Sequence, residues 1–175
     1  MTYNDFVKSR FKSAQDTVND LIEISGDVAQ MLHASMGMSG ELIEIELAES
    51  RANLIEELGD YWFYYRAVCE MPACGVPNDL RVTVGEVSTD LKRATNDILD
   101  IAKKLAIYRK EMTPSLQSRL RGAIQTIALQ FPVLVNRFGL TMEQVEAENQ
   151  FKLTKRYPVG YSNEAAQARA DKAGE

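Results

Sequence analysis

From about Asn4 to Leu32, the apolar residues Phe6, Phe11, Ala14, Val18, Leu21, Ile22, Val28 and Met31 recur at threes and fours. That is the spacing of one helix face, so the chain opens with an amphipathic helix, or with two broken at Gly26. Met36-Gly37-Met38-Ser39-Gly40 interrupts the pattern, and a further helix from about Ser39 carries Leu42, Ile43, Ile45 and Leu47 between acids. Asn53-Leu54-Ile55-Glu56 reads as a helix start, with Asn53 as the cap and Glu56 in the third position of a capping box. The helix it opens runs from Leu54 to about Glu70 and contains the aromatic run Tyr61-Trp62-Phe63-Tyr64-Tyr65.

Two prolines and a glycine in Met71-Pro72-Ala73-Cys74-Gly75-Val76-Pro77-Asn78 make the clearest break in the chain. Beyond it the pattern predicts a helix from about Leu80 to Arg109. Thr113-Pro114 then supplies a cap with proline at the first helical position, for a helix to about Phe138 that Pro132 bends. Thr141 with Gln144 forms a capping box for a last helix to about Lys155, ended by Pro158 and Gly160. The halves on either side of the central break look alike. The expected architecture is all-α: an antiparallel helical bundle, one domain over residues 1–161, followed by a charged, Ala-rich tail over 162–175 that is either a helix-prone arm or disordered.

Composition agrees. Among 175 residues there are only 10 Gly and 5 Pro, too few for the turns of a many-stranded β fold. With 20 Lys+Arg against 25 Asp+Glu the net charge is −5, which argues against a nucleic-acid polymer or an anionic membrane surface as partner. A nucleotide bound by this chain is therefore a small one. Cys69 and Cys74 have no companion Cys pair or His cluster for zinc and fit a reducing compartment. No apolar run reaches membrane-spanning length and no signal peptide opens the chain, so a cytoplasmic location is expected.

Two acidic pairs carry the candidate chemistry: Glu41 with Glu44, and Glu57 with Asp60. Residues three apart share a helix face, and a short connection between the two helices brings both pairs together if the helices run antiparallel. Convergent carboxylates repel one another and lose hydration, a cost that a divalent cation between them offsets. Oxygen ligands without His or Cys suit Mg²⁺, with Mn²⁺ as a substitute. The plainer alternative is that such pairs face water. Gly40 and Gly59, each inside a strong helix beside an acid, argue for close backbone approach.

Glu41-Leu-Ile-Glu44, twelve residues, then Glu57-Leu58-Gly59-Asp60 resembles the ExxE…ExxD signature of the MazG-like, all-α nucleoside triphosphate pyrophosphatases, a superfamily related to dimeric dUTPases. Asn149-Gln-Phe-Lys152-Leu153-Thr-Lys-Arg156-Tyr157-Pro158 is similar to the ending of phage and bacterial members. The resemblance covers about Leu32 to Tyr161. It implies a hydrolase that converts a nucleoside triphosphate to the monophosphate and pyrophosphate, with Glu41, Glu44, Glu57 and Asp60 as ligands of Mg²⁺. It further implies Glu41 or Glu44 as the catalytic carboxylate. Family members follow the first acid pair with two lysines and a tyrosine, where this chain reads Ser50-Arg51. In the second half, Asp97-Ile-Leu-Asp100-Ile-Ala-Lys103-Lys104, with Tyr108 after it, matches that stretch instead, whereas Leu120-Arg121-Gly122-Ala123 lacks the second pair of acids. We therefore expect a duplicated and diverged unit. The first half (about 1–71) supplies the metal acids, and the second (about 80–161) supplies Lys103, Lys104, Tyr108, Asn149, Lys152, Arg156 and Tyr157 for substrate. Asn149, Lys152 and Arg156 fall on one helix face, which suits a shared anion.

Three weaker readings stand beside this one. His33 is read as packed rather than ligating; the run Trp62 to Tyr65 is core or interface, including a homodimer contact, with one or two rings near a base; and both cysteines are inert. Other functions consistent with the residues are a non-catalytic helical nucleotide-binding or regulatory module, a dUTP-specific enzyme, and an alarmone-directed member of the superfamily.

Overall fold

The computed structural model describes residues 2–71, 87–169 and 171–172. Among these residues eight helices follow one another: α1 (Tyr3–Arg10), α2 (Ala14–Glu23), α3 (Gly26–Leu47), α4 (Arg51–Cys69), α5 (Val87–Ala106), α6 (Pro114–Arg137), α7 (Met142–Arg156) and α8 (Asn163–Ala168). No β-strand occurs among the described residues, and the fold is the expected all-α bundle. The break at Pro72 to Asn78, Cys74 and the start of the fifth helix at Leu80 lie outside the described residues.

Local sequence chemistry explains most helix ends. Ser13, Ser25, Ser50, Thr113 and Thr141 each accept a backbone N–H with the side chain at an N-terminus. Pro114 follows its cap as expected, and the Thr141–Gln144 box is formed. Two expectations are corrected. The cap of α4 is Ser50, whose hydroxyl accepts from Asn53 N–H at 3.1 Å; Asn53 lies inside the first turn, and Glu56 turns away toward α7. Met36 to Gly40 does not break the chain either, because α3 runs straight through it and buries Ser35, Met38 and Leu42 on either side of the glycines. Tertiary burial there outweighs a glycine cost of about 1 kcal/mol per residue.

The bundle centres on α3 to α6. α3 packs on both α4 and α5, α5 packs on α6, and α7 lies along α4. Lys92 pairs with Glu46 while Leu32 and Met36 line one cavity with Leu99 and Lys103, so α3 and α5 run antiparallel. The aromatic run of α4 is divided by its helix faces. Tyr61 and Tyr65 are buried, bonding Thr95 Oγ1 at 2.7 Å and the Ile124 carbonyl at 3.2 Å. Trp62 stacks on Phe131 and Tyr65 and donates its indole N–H to Glu146 at 2.8 Å, joining α6 and α7 to α4. The amphipathic face foreseen in α1 and α2 is largely exposed, with Phe11 at 80% and Ile22 at 76% of full accessibility, and neither helix buries a residue. No helix among the described residues is long and apolar enough to cross a membrane.

Candidate functional site

Helices α3 and α4 are joined by only Ala48 to Ser50, so the acids near the end of one face the start of the other. Glu41, Glu44 and Glu57 each bring a carboxylate oxygen to within 4.8 Å of the others. Glu57 is buried at 7% exposure, Glu41 is half-buried and Glu44 faces solvent, so the cluster grades from interior to surface. Glu41 and Glu57 are hydrogen-bonded to each other. Glu41 Oε2 is buried with no hydrogen-bond donor among the described residues. A buried carboxylate oxygen without a donor is costly unless protonated or bound by a cation.

Electrostatics follow from this crowding. Burial first, then the charge of Asp60, the bond to Glu57 and the charges of Glu44 and Glu57, raise the Glu41 carboxyl to about 8. Burial and neighbouring acids raise Glu57 as well. Asn53, one turn before Glu57, donates from Nδ2 to Glu57 Oε1, which favours the charged form of Glu57. Sequence reading took Asn53 for a cap; the signal that would have found its role is its i, i+4 spacing from Glu57.

Asp60, the fourth acid of the signature, adjoins this trio closely enough to raise Glu41, but its own oxygens are engaged by α7. Asn149 Nδ2 donates to Asp60 Oδ1 at 2.8 Å, and Lys152 pairs with Asp60 Oδ2 and, at 3.3 Å, with Glu56. The close approach needs Gly59: a Cβ there would lie 2.8 Å from Asn149 Cβ. Gly40 has no comparable neighbour within 4 Å, so the close approach expected there is not found. It occurs one turn earlier, at Gly37, where a Cβ would meet the Tyr64 ring at 2.5 Å. Burial first, then the charges of Glu41 and Asp60, raise the Tyr64 phenol. His33, expected to be packed, is exposed and lies edge-on to Tyr64 at 5.8 Å.

The remaining predicted residues divide into two groups. Arg156 bonds Asp171 and lies 6.0 Å over the Tyr157 ring, which in turn is 5.5 Å from Tyr161, so the two stay together at the end of α7. Lys103, Lys104 and Tyr108 are engaged in a cluster of their own on α5 and α6. Lys104 and Arg119 bond Asp100 at 2.6 and 2.9 Å, Arg119 Nε bonds Asp97 at 3.1 Å, and Lys103 lies 3.6 Å from Asp100 and over the Tyr108 ring. Here α6 offers a guanidinium to the acid pair of α5, where α4 offers carboxylates to that of α3. Arg51, at the position of the missing lysine, donates to the Phe138 and Gly139 carbonyls at 3.2 and 3.1 Å and so fixes the α6–α7 turn.

The donor set of Glu41, Glu44 and Glu57, all oxygen and with Glu41 Oε2 lacking any other partner, fits a hard divalent cation such as Mg²⁺ or Mn²⁺. Comparison of the chain with models of known protein families, with curated proteins and with solved structures finds no match.

Proposed function

We propose that this chain is a divalent-cation-dependent nucleoside triphosphate pyrophosphohydrolase of the MazG-like type. The observation that carries the reading is the trio Glu41, Glu44 and Glu57, convergent from two helices and holding a buried carboxylate oxygen without a partner. A cation held there supplies charge neutralisation for the triphosphate and polarises the phosphorus under attack. The chain's own residues do the rest. Asn53 orients Glu57, while Asn149 and Lys152 hold Asp60 in place beside the trio. Solvent-facing Glu44, or Glu41 once it has released its proton, accepts the proton of the attacking water. A new bond forms between water oxygen and the α-phosphorus, the bond from the α-phosphorus to the bridging oxygen breaks, and the electron pair leaves with pyrophosphate. The reading includes α5–α6 as a diverged copy of the α3–α4 hairpin, supported by its own i, i+3 acid pair facing a partner helix.

Incubation of wild type and Glu57→Ala with Mg²⁺ and each of the four dNTPs, dUTP and the four NTPs tests the proposal. Monophosphate and pyrophosphate appear from at least one substrate with wild type and are lost with Glu57→Ala. Calorimetric nucleotide binding without release by wild type refutes turnover and leaves a helical binding module, a reading favoured by the internal pairing of Lys103, Lys104 and Arg156.

A further inference from the structure

The donor stripe of α7 is saturated by acids of the same chain. Asn149 and Lys152 are taken by Asp60 and Glu56, both on α4 and therefore fixed by the bundle. Arg156 is different: its carboxylate comes from Asp171, beyond α8, and accepts from Arg156 Nε at 2.6 Å and from a terminal guanidinium nitrogen as well. Only 3% of the Asp171 side chain is exposed, and Lys155 Nζ reaches the Asp171 carbonyl at 3.4 Å. Lys172 adds a bond to Glu56 Oε2 at 2.8 Å. Helix α8 itself buries no residue, so ionic contacts supply the anchorage of this arm, in contrast to the apolar packing that holds the bundle. A guanidinium presents the same two-pronged donor face to a carboxylate and to a phosphate.

We propose that Asp171 is an internal competitor for the oligophosphate anion expected at Arg156, so that anion binding displaces the C-terminal arm. The choice of a phosphate anion rests on the function proposed above; the exchange of one anion for another at Arg156 rests on the geometry alone. Because the arm is held by charge, the incoming anion replaces like with like and no apolar core has to open.

Metal-free calorimetry on the full chain, with inorganic tripolyphosphate in EDTA at low ionic strength, separates this from hydrolysis. Asp171→Asn tightens tripolyphosphate by about tenfold, the scale of one charged hydrogen-bonded pair. Glu164→Gln, the same charge change at an exposed position of the arm, alters it by less than about twofold. Adding Arg156→Ala to Asp171→Asn abolishes the gain. In wild type, tripolyphosphate accelerates tryptic cleavage at Arg169, and in Arg156→Ala cleavage is fast without it. Equal affinity of wild type and Asp171→Asn, an equal gain with Glu164→Gln, or no tripolyphosphate binding by any variant overturns the proposal. An inactive wild type in the nucleotide panel leaves these binding results to stand or fall independently.

Discussion

Gly59 and Gly40 each precede an acid of the candidate site, yet alanine at the two positions has opposite consequences. At Gly59 the new Cβ would sit 2.8 Å from Asn149 Cβ and 3.2 Å from its Nδ2, whereas at Gly40 it meets nothing within 4 Å. Carbon atoms pack at about 3.5–4.0 Å, so α7 must retreat by roughly 1 Å from α4 at this point. A retreat of that size takes the 2.8 Å bond from Asn149 to Asp60 out of hydrogen-bonding range. Overpacking costs about 1–3 kcal/mol, and the lost bond to a charged acceptor adds about 1–2 kcal/mol. The helix gains about 1 kcal/mol in each case from replacing glycine by alanine. Gly59→Ala is therefore destabilised by about 1–4 kcal/mol, and Gly40→Ala is stabilised by up to about 1 kcal/mol. In a chain of this size each kcal/mol moves the melting temperature by about 2–4 °C. Urea and thermal denaturation followed by circular dichroism read both variants. Gly59→Ala as stable as wild type, or Gly40→Ala falling as far as Gly59→Ala, would refute the close packing of α7 on α4 through Gly59.

Cation binding should release a proton. With Glu41 titrating at about 8, calorimetry with Mn²⁺ in buffers of different ionisation heat reads about 0.9 proton released at pH 7, and affinity rises about tenfold per pH unit up to 8. Without the cation the sign is reversed for stability: a carboxyl raised above its unfolded value favours the fold at low pH, and that contribution is lost as pH climbs from about 4.5 to 8. Affinity that is flat from pH 6 to 8 contradicts the shared proton. Arg119→Ala leaves Asp100 with Lys103 and Lys104 but takes from Asp97 the guanidinium that bonds it, and costs about 1 kcal/mol at pH 7 after allowance for solvent screening. Lys104 and then Arg119 hold Asp100 at about 2, so the difference from wild type in urea unfolding shrinks as pH falls from 4 toward 2; a constant difference excludes the ion pair as its source.

Helix type and most boundaries were legible because they depend on neighbours in sequence: Thr113 with Pro114, Thr141 with Gln144, and the apolar spacing of α4 to α7. The convergence of Glu41, Glu44 and Glu57 was legible for the same reason, being two short-range spacings joined by a short connection. Contacts across long separations were not. Asp60 is turned toward α7 by Asn149, 89 residues away, and α3 is carried through Gly37 by a ring from α4 that fills the space of the absent Cβ. Periodicity identified an apolar face on α2 but not whether anything covers it, since spacing is the same for a buried and an exposed stripe. The stripe Asn149, Lys152 and Arg156 shows the limit most clearly. Its geometry pointed to anions, and anions are what it holds, but they are Asp60, Glu56 and Asp171 of the same chain.

The two acid-bearing hairpins solve one electrostatic problem in different ways. On α5, Asp97 and Asp100 have Arg119 and Lys104 within hydrogen-bonding distance, so their charge is balanced by covalently attached cations at any metal concentration. On α3 and α4, the side-chain donor that reaches the trio among the described residues is the neutral amide of Asn53, and the adjacent Lys152 is already shared between Asp60 and Glu56. The balance there is left to a proton on Glu41 or to a soluble cation, two species whose occupancy depends on solution conditions. A fixed guanidinium stabilises but cannot respond. Under the proposed function, response to a divalent ion belongs to the α3–α4 hairpin, and what sets this hairpin apart, more than the number of acids, is that no lysine or arginine among the described residues pairs with Glu41, Glu44 or Glu57.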